Sequence, residues 1–159
     1  MESELEMQLK LRGGGGLEEV GKKDLQDFIA IENETHTKYI LENLDFFGEV
    51  KEEIIVNGFY ARLKMSFFKK VVLKSRTVGF LSYDIKEDKI DLVFIRLTEM
   101  IQNQGIGTLF LEYLKELSKA LLKPIIIVAI KTNPAQELYK RLGFKFFKEE
   151  DVFYYFKYE

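Results

Sequence analysis

One short segment, residues 102–108, constrains the fold of this chain more than any other part of the sequence. It reads Gln-Asn-Gln-Gly-Ile-Gly-Thr, and it lies between an apolar run at residues 91–97 and a long amphipathic pattern. The apolar run is typical of a strand, whereas apolar residues recurring every three or four positions are typical of a helix. The sequence therefore predicts a strand, a glycine-containing loop and a helix in direct succession.

The two glycines of this loop, Gly105 and Gly107, make it suited to binding an anion. A glycine lets a ligand approach the main chain closely, because it has no side chain. The first turn of the following helix adds N–H groups without helical partners and the positive end of the helix dipole. Together these features indicate a site for a phosphate or pyrophosphate group.

The composition limits the kinds of site that the chain can build. It has 159 residues, a single histidine (His36) and no cysteine, which excludes disulfides, thiolate catalysis and cysteine-ligated metals. A histidine-rich metal site is also impossible, so we expect no metal. The formal net charge of −2 argues against a nucleic-acid-binding or membrane-binding surface.

The length and the ends of the sequence lead to two further expectations. A single domain can span residues 1–159. The first residues are acidic and no apolar core follows them, so we expect no signal peptide. The longest apolar run, residues 125–130, is too short to cross a bilayer. We therefore expect a cytoplasmic protein.

The hydrophobic pattern predicts elements in the order β, helices, βββ, α, β, α, ββ, which indicates a mixed α/β sheet with helices on both faces. Alternating apolar residues at 5–11 predict the first strand, and the glycines at 13–16 should form a flexible connection to a helix. Two short helices are predicted after Lys23, and residues 46–65 should be partly helical. The later strands are predicted at residues 67–73, 77–85, 89–97, 125–130, 144–148 and 152–158, and the later helices from 106 to before Pro124 and from 133 to Gly143.

The segment Gln102-x-x-Gly105-x-Gly107, placed between a strand and a helix, resembles the acyl-CoA-binding signature of the GNAT acetyltransferases. Residues 133–144 are similar to a second motif of this family, N-x-x-A-x-x-L-Y-x-x-x-G-F. Here Ala135 follows Asn133 by two positions where three is usual, so either Asn133 acts from a shifted position or Thr132 takes its place. The resemblance implies the GNAT-type fold, an α/β fold with a central mixed, mostly antiparallel sheet and helices on both faces.

The resemblance also implies acetyl-CoA as a co-substrate, with its pyrophosphate bound by the amides of the glycine loop. The end of the preceding strand would diverge from residues 125–130, and its backbone would pair with the pantetheine arm. One exposed N–H there, that of Leu97 or a neighbour, could bind the oxyanion. The implied cofactor-binding residues are Ile95, Arg96, Leu97, Gln102, Asn103, Gln104, Gly105, Ile106, Gly107, Thr108, Asn133 and Tyr139.

The same resemblance assigns two catalytic residues. Tyr139 would be the general acid that protonates or stabilises the leaving CoA thiolate. Asp91 falls where protein-lysine acetyltransferases of the family carry a strand glutamate, which makes it the candidate general base. Strand alternation predicts that Asp91 shares a face with residues 93, 95 and 97. Glu32, Glu34 and water remain alternatives for the base, and His36 is interpreted as a surface histidine that could titrate near neutrality.

A nucleotide-binding loop of another type is not expected. Residues 16–22 fit the first seven places of G-x-x-x-x-G-K-[ST], but the eighth place holds Lys23 instead of a hydroxyl residue.

The acceptor of the acetyl group should be a primary amine on a small molecule or a protein. Aromatic residues alternating in the last two predicted strands could line its pocket or form a homodimer contact. A non-catalytic acyl-CoA-binding sensor or regulatory module is the alternative function.

Overall fold

The computed structural model describes residues 2–11 and 15–159, and within these ranges seven strands form one sheet. The strands are β1 (Gly16–Glu19), β2 (Phe67–Leu73), β3 (Arg76–Ile85), β4 (Ile90–Leu97), β5 (Ile125–Ile130), β6 (Lys145–Glu150) and β7 (Phe153–Tyr158). The α-helices are α1 (Glu2–Leu11), α2 (Leu25–Thr35), α3 (Thr37–Leu41), α4 (Leu44–Phe47), α5 (Glu52–Arg62), α6 (Ile106–Leu121) and α7 (Gln136–Arg141).

The sheet is antiparallel except at one junction. Its strand order is β1-β2-β3-β4-β5-β7-β6, and β4 and β5 are the parallel neighbours. Across the described residues, these two strands share a single register pair, Ile90 with Ile125. They therefore diverge beyond that pair, and a gap opens in the middle of the sheet. The predicted mixed, mostly antiparallel α/β fold is confirmed.

The two faces of the sheet bury separate hydrophobic clusters. Neighbouring residues of β2 point to opposite faces, and accordingly Phe67 joins the cluster under α1 and α6 while Phe68 joins the cluster under α2 and α5. Phe110 and Leu114 of α6 are fully buried in the first cluster. The long amphipathic helix and the aromatic residues of α2 and α5 thus fix the sheet from its two sides.

The predicted first strand is wrong. Residues 5–11 belong to the helix α1, in which Leu5 and Leu9 are both buried. They stand four positions apart and so share one helical face. Residues four positions apart also share one face of a strand, so this spacing does not distinguish the two structures. The first strand is β1 instead, and it pairs with β2.

The predicted flexible glycine connection is also wrong where the structure describes it, because Gly16 lies in β1. Gly15 precedes this strand with a φ of 76°, and a Cβ atom there would lie 1.8 Å from the Val72 carbonyl oxygen. Glycine is therefore required at this position for the close approach of two backbones. Gly13 and Gly14 fall outside the described residues.

Among residues 2–11 and 15–159, no helix combines the length and the apolar character that crossing a bilayer requires.

A buried ion pair ties the start of α2 to the sheet. Lys70 Nζ lies 2.7 Å from Asp24 Oδ1, and the Gly21 N–H donates to Asp24 Oδ2 at 2.8 Å. Asp24 and Lys70 are 4% and 8% exposed. We expect Asp24→Asn to lower the free energy of unfolding by about 3–5 kcal/mol, because the Lys70 ammonium loses its charged partner in a buried site. Urea denaturation at neutral pH measures this change.

The same pair should weaken in acid. Burial acts to raise the pKa of Asp24, but hydrogen bonds from the Gly21 N–H and Lys70 outweigh it and hold the pKa below its ordinary value of 3.8. The stabilisation is therefore present above pH 3.8 and is lost as the pH falls through the lower folded-state pKa.

Glu137→Gln is the matched control for Asp24→Asn, because it removes an exposed partner of Lys140. Its free energy of unfolding should lie within about 0.5 kcal/mol of that of the unchanged protein. Equal effects of the two variants would contradict the prediction.

Candidate active site

The glycine loop forms a tight bend between β4 and α6. Gly105 immediately precedes α6 with a φ of 81°, a backbone conformation that residues with a Cβ atom rarely adopt. Gln102 Nε2 donates to the Leu97 carbonyl oxygen at 2.9 Å, which anchors the loop to the end of β4. Because Gly105 has no side chain, the first-turn N–H groups of α6 receive no side-chain cap and remain available to a ligand.

A groove of about 590 Å³ runs along this loop. Its walls come from the end of β4, the loop, the first turn of α6, α7 with the residues before it, and the end of α2 with α3. Of the described residues, the predicted cofactor-binding residues that line it are Ile95, Arg96, Leu97, Gln102, Asn103, Gly105, Ile106, Gly107, Thr108 and Asn133. The structure thus brings these predicted residues from four segments of the chain to one groove.

Two predicted cofactor-binding residues lie outside the lining of this groove. The side-chain amide of Gln104 donates to the Met100 carbonyl oxygen at 3.1 Å and so bonds within its own loop. Tyr139 is buried with Phe144 and Phe156 in the cluster beneath α6 and faces a different cavity. Both exceptions follow from side-chain directions, which the motif spacing does not specify.

Arg141 lines the groove together with Gly107 and Thr108, and sequence reasoning missed it. It occupies a variable place in the second motif, three residues after Leu138. A residue at that spacing lies on the same helical face as Leu138, whose side chain would lie 3.3 Å from a Cβ atom at Gly107. A guanidinium beside the first turn of α6 adds positive charge where a phosphate would be bound.

The shifted asparagine of the second motif also faces the groove. Asn133 Oδ1 accepts a hydrogen bond from the Ala135 N–H at 2.9 Å, which shapes the turn before α7. Thr132 instead accepts a hydrogen bond from Asn43 Nδ2 at 3.2 Å. Of the two residues that the spacing left open, Asn133 is therefore the one positioned beside the groove.

The gap between β4 and β5 contains a second cavity of about 230 Å³. Asp91 and Tyr139 both line it, and so do Ile95 and Arg96, which also line the groove. Burial raises the pKa of the Tyr139 phenol, and the charge of Arg96 acts in the opposite direction. The phenol is therefore protonated at neutral pH, the form that a general acid needs.

The backbone of β4 has an N–H group near its end that does not pair with β3. The Thr98 N–H donates to the Val78 carbonyl oxygen of β3 at 2.9 Å, and Leu97 is paired opposite Gly79. Because successive N–H groups of a strand point to opposite sides, the Leu97 N–H points away from β3 and toward the side where β5 has diverged.

The predicted face of Asp91 is wrong. The register between β3 and β4 shifts next to Asp91, and the adjacent Leu92 has a φ of 55°, which indicates a β-bulge. Ile90 packs in the same cluster as Val93, so Asp91 points to the opposite face. Its Oδ2 atom lies 3.6 Å from Lys89 Nζ. Simple alternation fails here because the bulge inserts one residue.

A third cavity, of about 320 Å³, lies under α2, α3 and α5. Arg96 and His36 line it and also line the other two cavities. The glycine-loop groove, the cavity in the gap of the sheet and the cavity under the helices therefore meet at these two side chains.

Two guanidinium groups stack on one buried ring at this junction. The Cζ atoms of Arg62 and Arg96 lie 3.9 and 4.1 Å from the centroid of the Phe94 ring. Arg96 Nε donates to Glu32 Oε1 at 2.5 Å. Of the alternative bases, Glu32 is thus paired with an arginine, and Glu34 accepts a hydrogen bond from the Glu99 N–H at 3.0 Å.

His36 is not the surface histidine that the sequence suggested. It is half-buried, and its Nδ1 atom is buried with no hydrogen-bond partner among the described residues. Burial, and then the charges of Arg96 and Arg62, lower its pKa from 6.5 to about 3. His36 is therefore neutral at pH 7 and does not titrate near neutrality. A single histidine in a polar segment carries no signal of this burial.

Residues 31–158 match the sequence model of a family described as an acetyltransferase (GNAT) domain. The match covers most of the chain, and the protein therefore belongs to the GNAT acetyltransferase family. This confirms the family that the two motifs indicated. No curated protein is similar enough in sequence to give a match.

Solved structures of other family members share the fold. PaiA N-acetyltransferase from Thermoplasma acidophilum, in complex with coenzyme A, superimposes with a TM-score of 0.68 at 17% identity, over 90% of this chain and 97% of its own. The ribosomal-protein-S18-alanine N-acetyltransferase from Escherichia coli has a TM-score of 0.62 at 18% identity, over 89% of each chain. A GNAT family acetyltransferase from Elizabethkingia anophelis with acetyl-CoA bound has a TM-score of 0.54 at 16% identity, over 65% of this chain and 82% of its own.

Proposed function

We propose that this protein transfers the acetyl group of acetyl-CoA to a primary amine within one ternary complex. The observation that carries the proposal is the continuity of the site. The groove along the glycine loop and the gap between β4 and β5 share Ile95 and Arg96. A long donor could thus be held at its phosphate end by the loop while its thioester lies in the gap.

The groove has the chemistry that the donor requires. N–H groups at the start of α6 and the helix dipole favour a pyrophosphate there, and the Arg141 guanidinium lies in the same groove. The structural relatives from Thermoplasma acidophilum and Elizabethkingia anophelis contain coenzyme A and acetyl-CoA, respectively. We expect the same ligand class in this chain.

The gap supports a direct transfer. The amine nitrogen would attack the thioester carbonyl carbon, one exposed N–H of β4, that of Leu97 or a neighbour, would stabilise the oxyanion, and the carbon–sulfur bond would then break. The Tyr139 phenol would protonate the departing thiolate, and Asp91 or water would take the proton that the amine loses. The chain contains no cysteine, so no enzyme thiol takes part, and positioning of the two substrates supplies much of the rate.

The first experiment is a thermal shift with acetyl-CoA. A ligand at 100 times its dissociation constant stabilises a protein by about 2.7 kcal/mol, so the melting temperature should rise by a few degrees. Free CoA should give a similar shift, because it retains the pyrophosphate, and ATP with Mg²⁺ should give none. A shift with acetyl-CoA would be followed by a thiol-release assay with a panel of amines. The absence of any shift with acetyl-CoA would contradict the proposal.

The extent of the domain belongs to the same proposal. The strand β1 precedes the range that matches the family, yet it pairs with β2 and continues the sheet. This supports one domain over residues 1–159. The cytoplasmic location and the homodimer contact stay predictions, and the latter would use the outer strand β6, whose residues are all exposed.

A further inference from the structure

The cavity under α2, α3 and α5 has an unbalanced interior charge. At its mouth, the exposed Glu49 and Lys51 form an ion pair with a 3.5 Å separation and so offset one another. Deeper inside, the guanidiniums of Arg62 and Arg96 face the single carboxylate of Glu32. Since His36 is neutral at pH 7, the interior carries one positive charge more than it carries negative charges.

Arg62 is the less satisfied of the two arginines. One of its Nη atoms donates to the Gly58 carbonyl oxygen at 3.0 Å. Its Nε atom is buried and has no hydrogen-bond partner among the described residues. A buried guanidinium with an unused donor costs free energy unless another group accepts from it.

The two arginines also disfavour one another. Both guanidiniums stack on Phe94. Burial, followed by the charge of Arg96, lowers the pKa of Arg62 to about 10, while Glu32 acts to raise it. Arg62 is still charged at neutral pH. An anion bound in the cavity that both arginines line would offset this repulsion.

We propose that this cavity binds the carboxylate of the acceptor, so that the acceptor is a small amine that also carries a carboxylate, such as an amino acid with an apolar side chain. The inference rests on the proposed acetyl transfer. Arg96 lines both this cavity and the gap between β4 and β5. An amine attached to a carboxylate that is bound in the cavity would therefore lie next to the gap, where the thioester would be.

The walls and the charge select this class of acceptor over others. The apolar lining would accept a branched or aromatic side chain, and it comes from Phe28, Ile40, Phe47, Val50, Ile54 and Ile55. A monoanionic carboxylate balances the single excess positive charge, whereas a phosphate dianion would leave a negative charge in a largely apolar cavity. A polyamine would bring further positive charge to two arginines and is disfavoured.

The test compares two ligands of the same shape that differ in charge, 4-methylpentanoate and 4-methylpentanamide. Isothermal titration should show that the carboxylate binds about 10-fold or more tightly than the amide, because hydrogen bonds between charged partners are the stronger ones. The preference should disappear in Arg62→Gln and persist in Arg76→Gln, which makes the same change at an exposed arginine. Equal affinities in the unaltered protein, or no binding of the carboxylate, would overturn the inference without relying on any variant.

Turnover provides the second measurement. With acetyl-CoA as donor, leucine should be acetylated in preference to leucinamide, and Arg62→Gln should reduce that ratio by about 10-fold. Comparing ratios removes the difference in amine basicity between the two substrates. A ratio unaffected by Arg62→Gln would overturn the inference. If acetyl-CoA itself fails to bind, the proposed function falls, whereas the carboxylate preference is still measured by titration of the protein alone.

Discussion

Replacing Tyr139 with phenylalanine should lower kcat by about 100- to 10,000-fold, the usual range for loss of a general acid or base. The change removes one hydroxyl and leaves the ring in place against Phe144 and Phe156, whose centroids lie 6.3 and 5.8 Å away. Because Tyr139 lies outside the groove of the glycine loop, the dissociation constant of acetyl-CoA should change little. Steady-state thiol release and a titration with acetyl-CoA measure the two quantities.

Tyr158→Phe is the matched control for this prediction. Tyr158 packs against the same Phe144 ring at 5.5 Å, and loss of its hydroxyl should leave kcat close to that of the unaltered enzyme. Asp91→Asn should lower kcat as well if Asp91 is the base. Full activity in Tyr139→Phe would mean that this tyrosine is a core residue only. A protein that binds acetyl-CoA but shows no turnover with any amine would be the non-catalytic acyl-CoA-binding module.

Replacing Phe28 with alanine should lower the free energy of unfolding by about 3–5 kcal/mol, the range for truncating a buried aromatic residue. Phe28 is 1% exposed and lies at the centre of the cluster under α2 and α5. Its ring centroid lies 5.2 to 5.9 Å from those of Phe59, Phe68, Phe80 and Phe94. Removal of the ring therefore leaves a cavity that four neighbours cannot close. Urea denaturation followed by circular dichroism measures the loss.

Phe147→Ala is the control, since it makes the same change on the outer strand β6, where the side chain is 48% exposed. Its effect should be well under half of that at Phe28. The stacking of Phe28 on Phe94 also links stability to the site, because Phe94 supports the two arginines. A change of less than about 1 kcal/mol at Phe28 would show that the helices repack to fill the space.

The parts of the fold that the sequence predicts well are those in which local pattern and burial agree. The strands β2 and β5 begin and end at the predicted residues, Phe67–Leu73 and Ile125–Ile130. The strand, loop and helix around Gly105 are also as predicted, because a glycine with positive φ and an amphipathic helix both have strong local signals.

The errors in the predicted fold and site arise where the local structure depends on residues far away in the sequence. Leu5 and Leu9 fit either a strand or a helix, and packing of α1 beside α6 selects the helix. The face of Asp91 depends on a bulge against β3, and the lowered pKa of His36 depends on its burial and on the charges of Arg96 in β4 and Arg62 in α5. The arginine pair could not be foreseen, since Arg62 and Arg96 belong to different elements that the fold brings together at Phe94.

The single register pair between β4 and β5 affects the main-chain hydrogen bonding of the protein without a ligand. Past Ile90 and Ile125, the inner edge of β4 carries main-chain groups that no neighbouring strand pairs within the described residues, and buried main-chain groups need a partner. Without a ligand, water must fill this role inside the sheet. Under the proposed function, the donor would displace that water and bridge the two halves of the sheet, so it would be a temporary strand of the protein as well as a reactant.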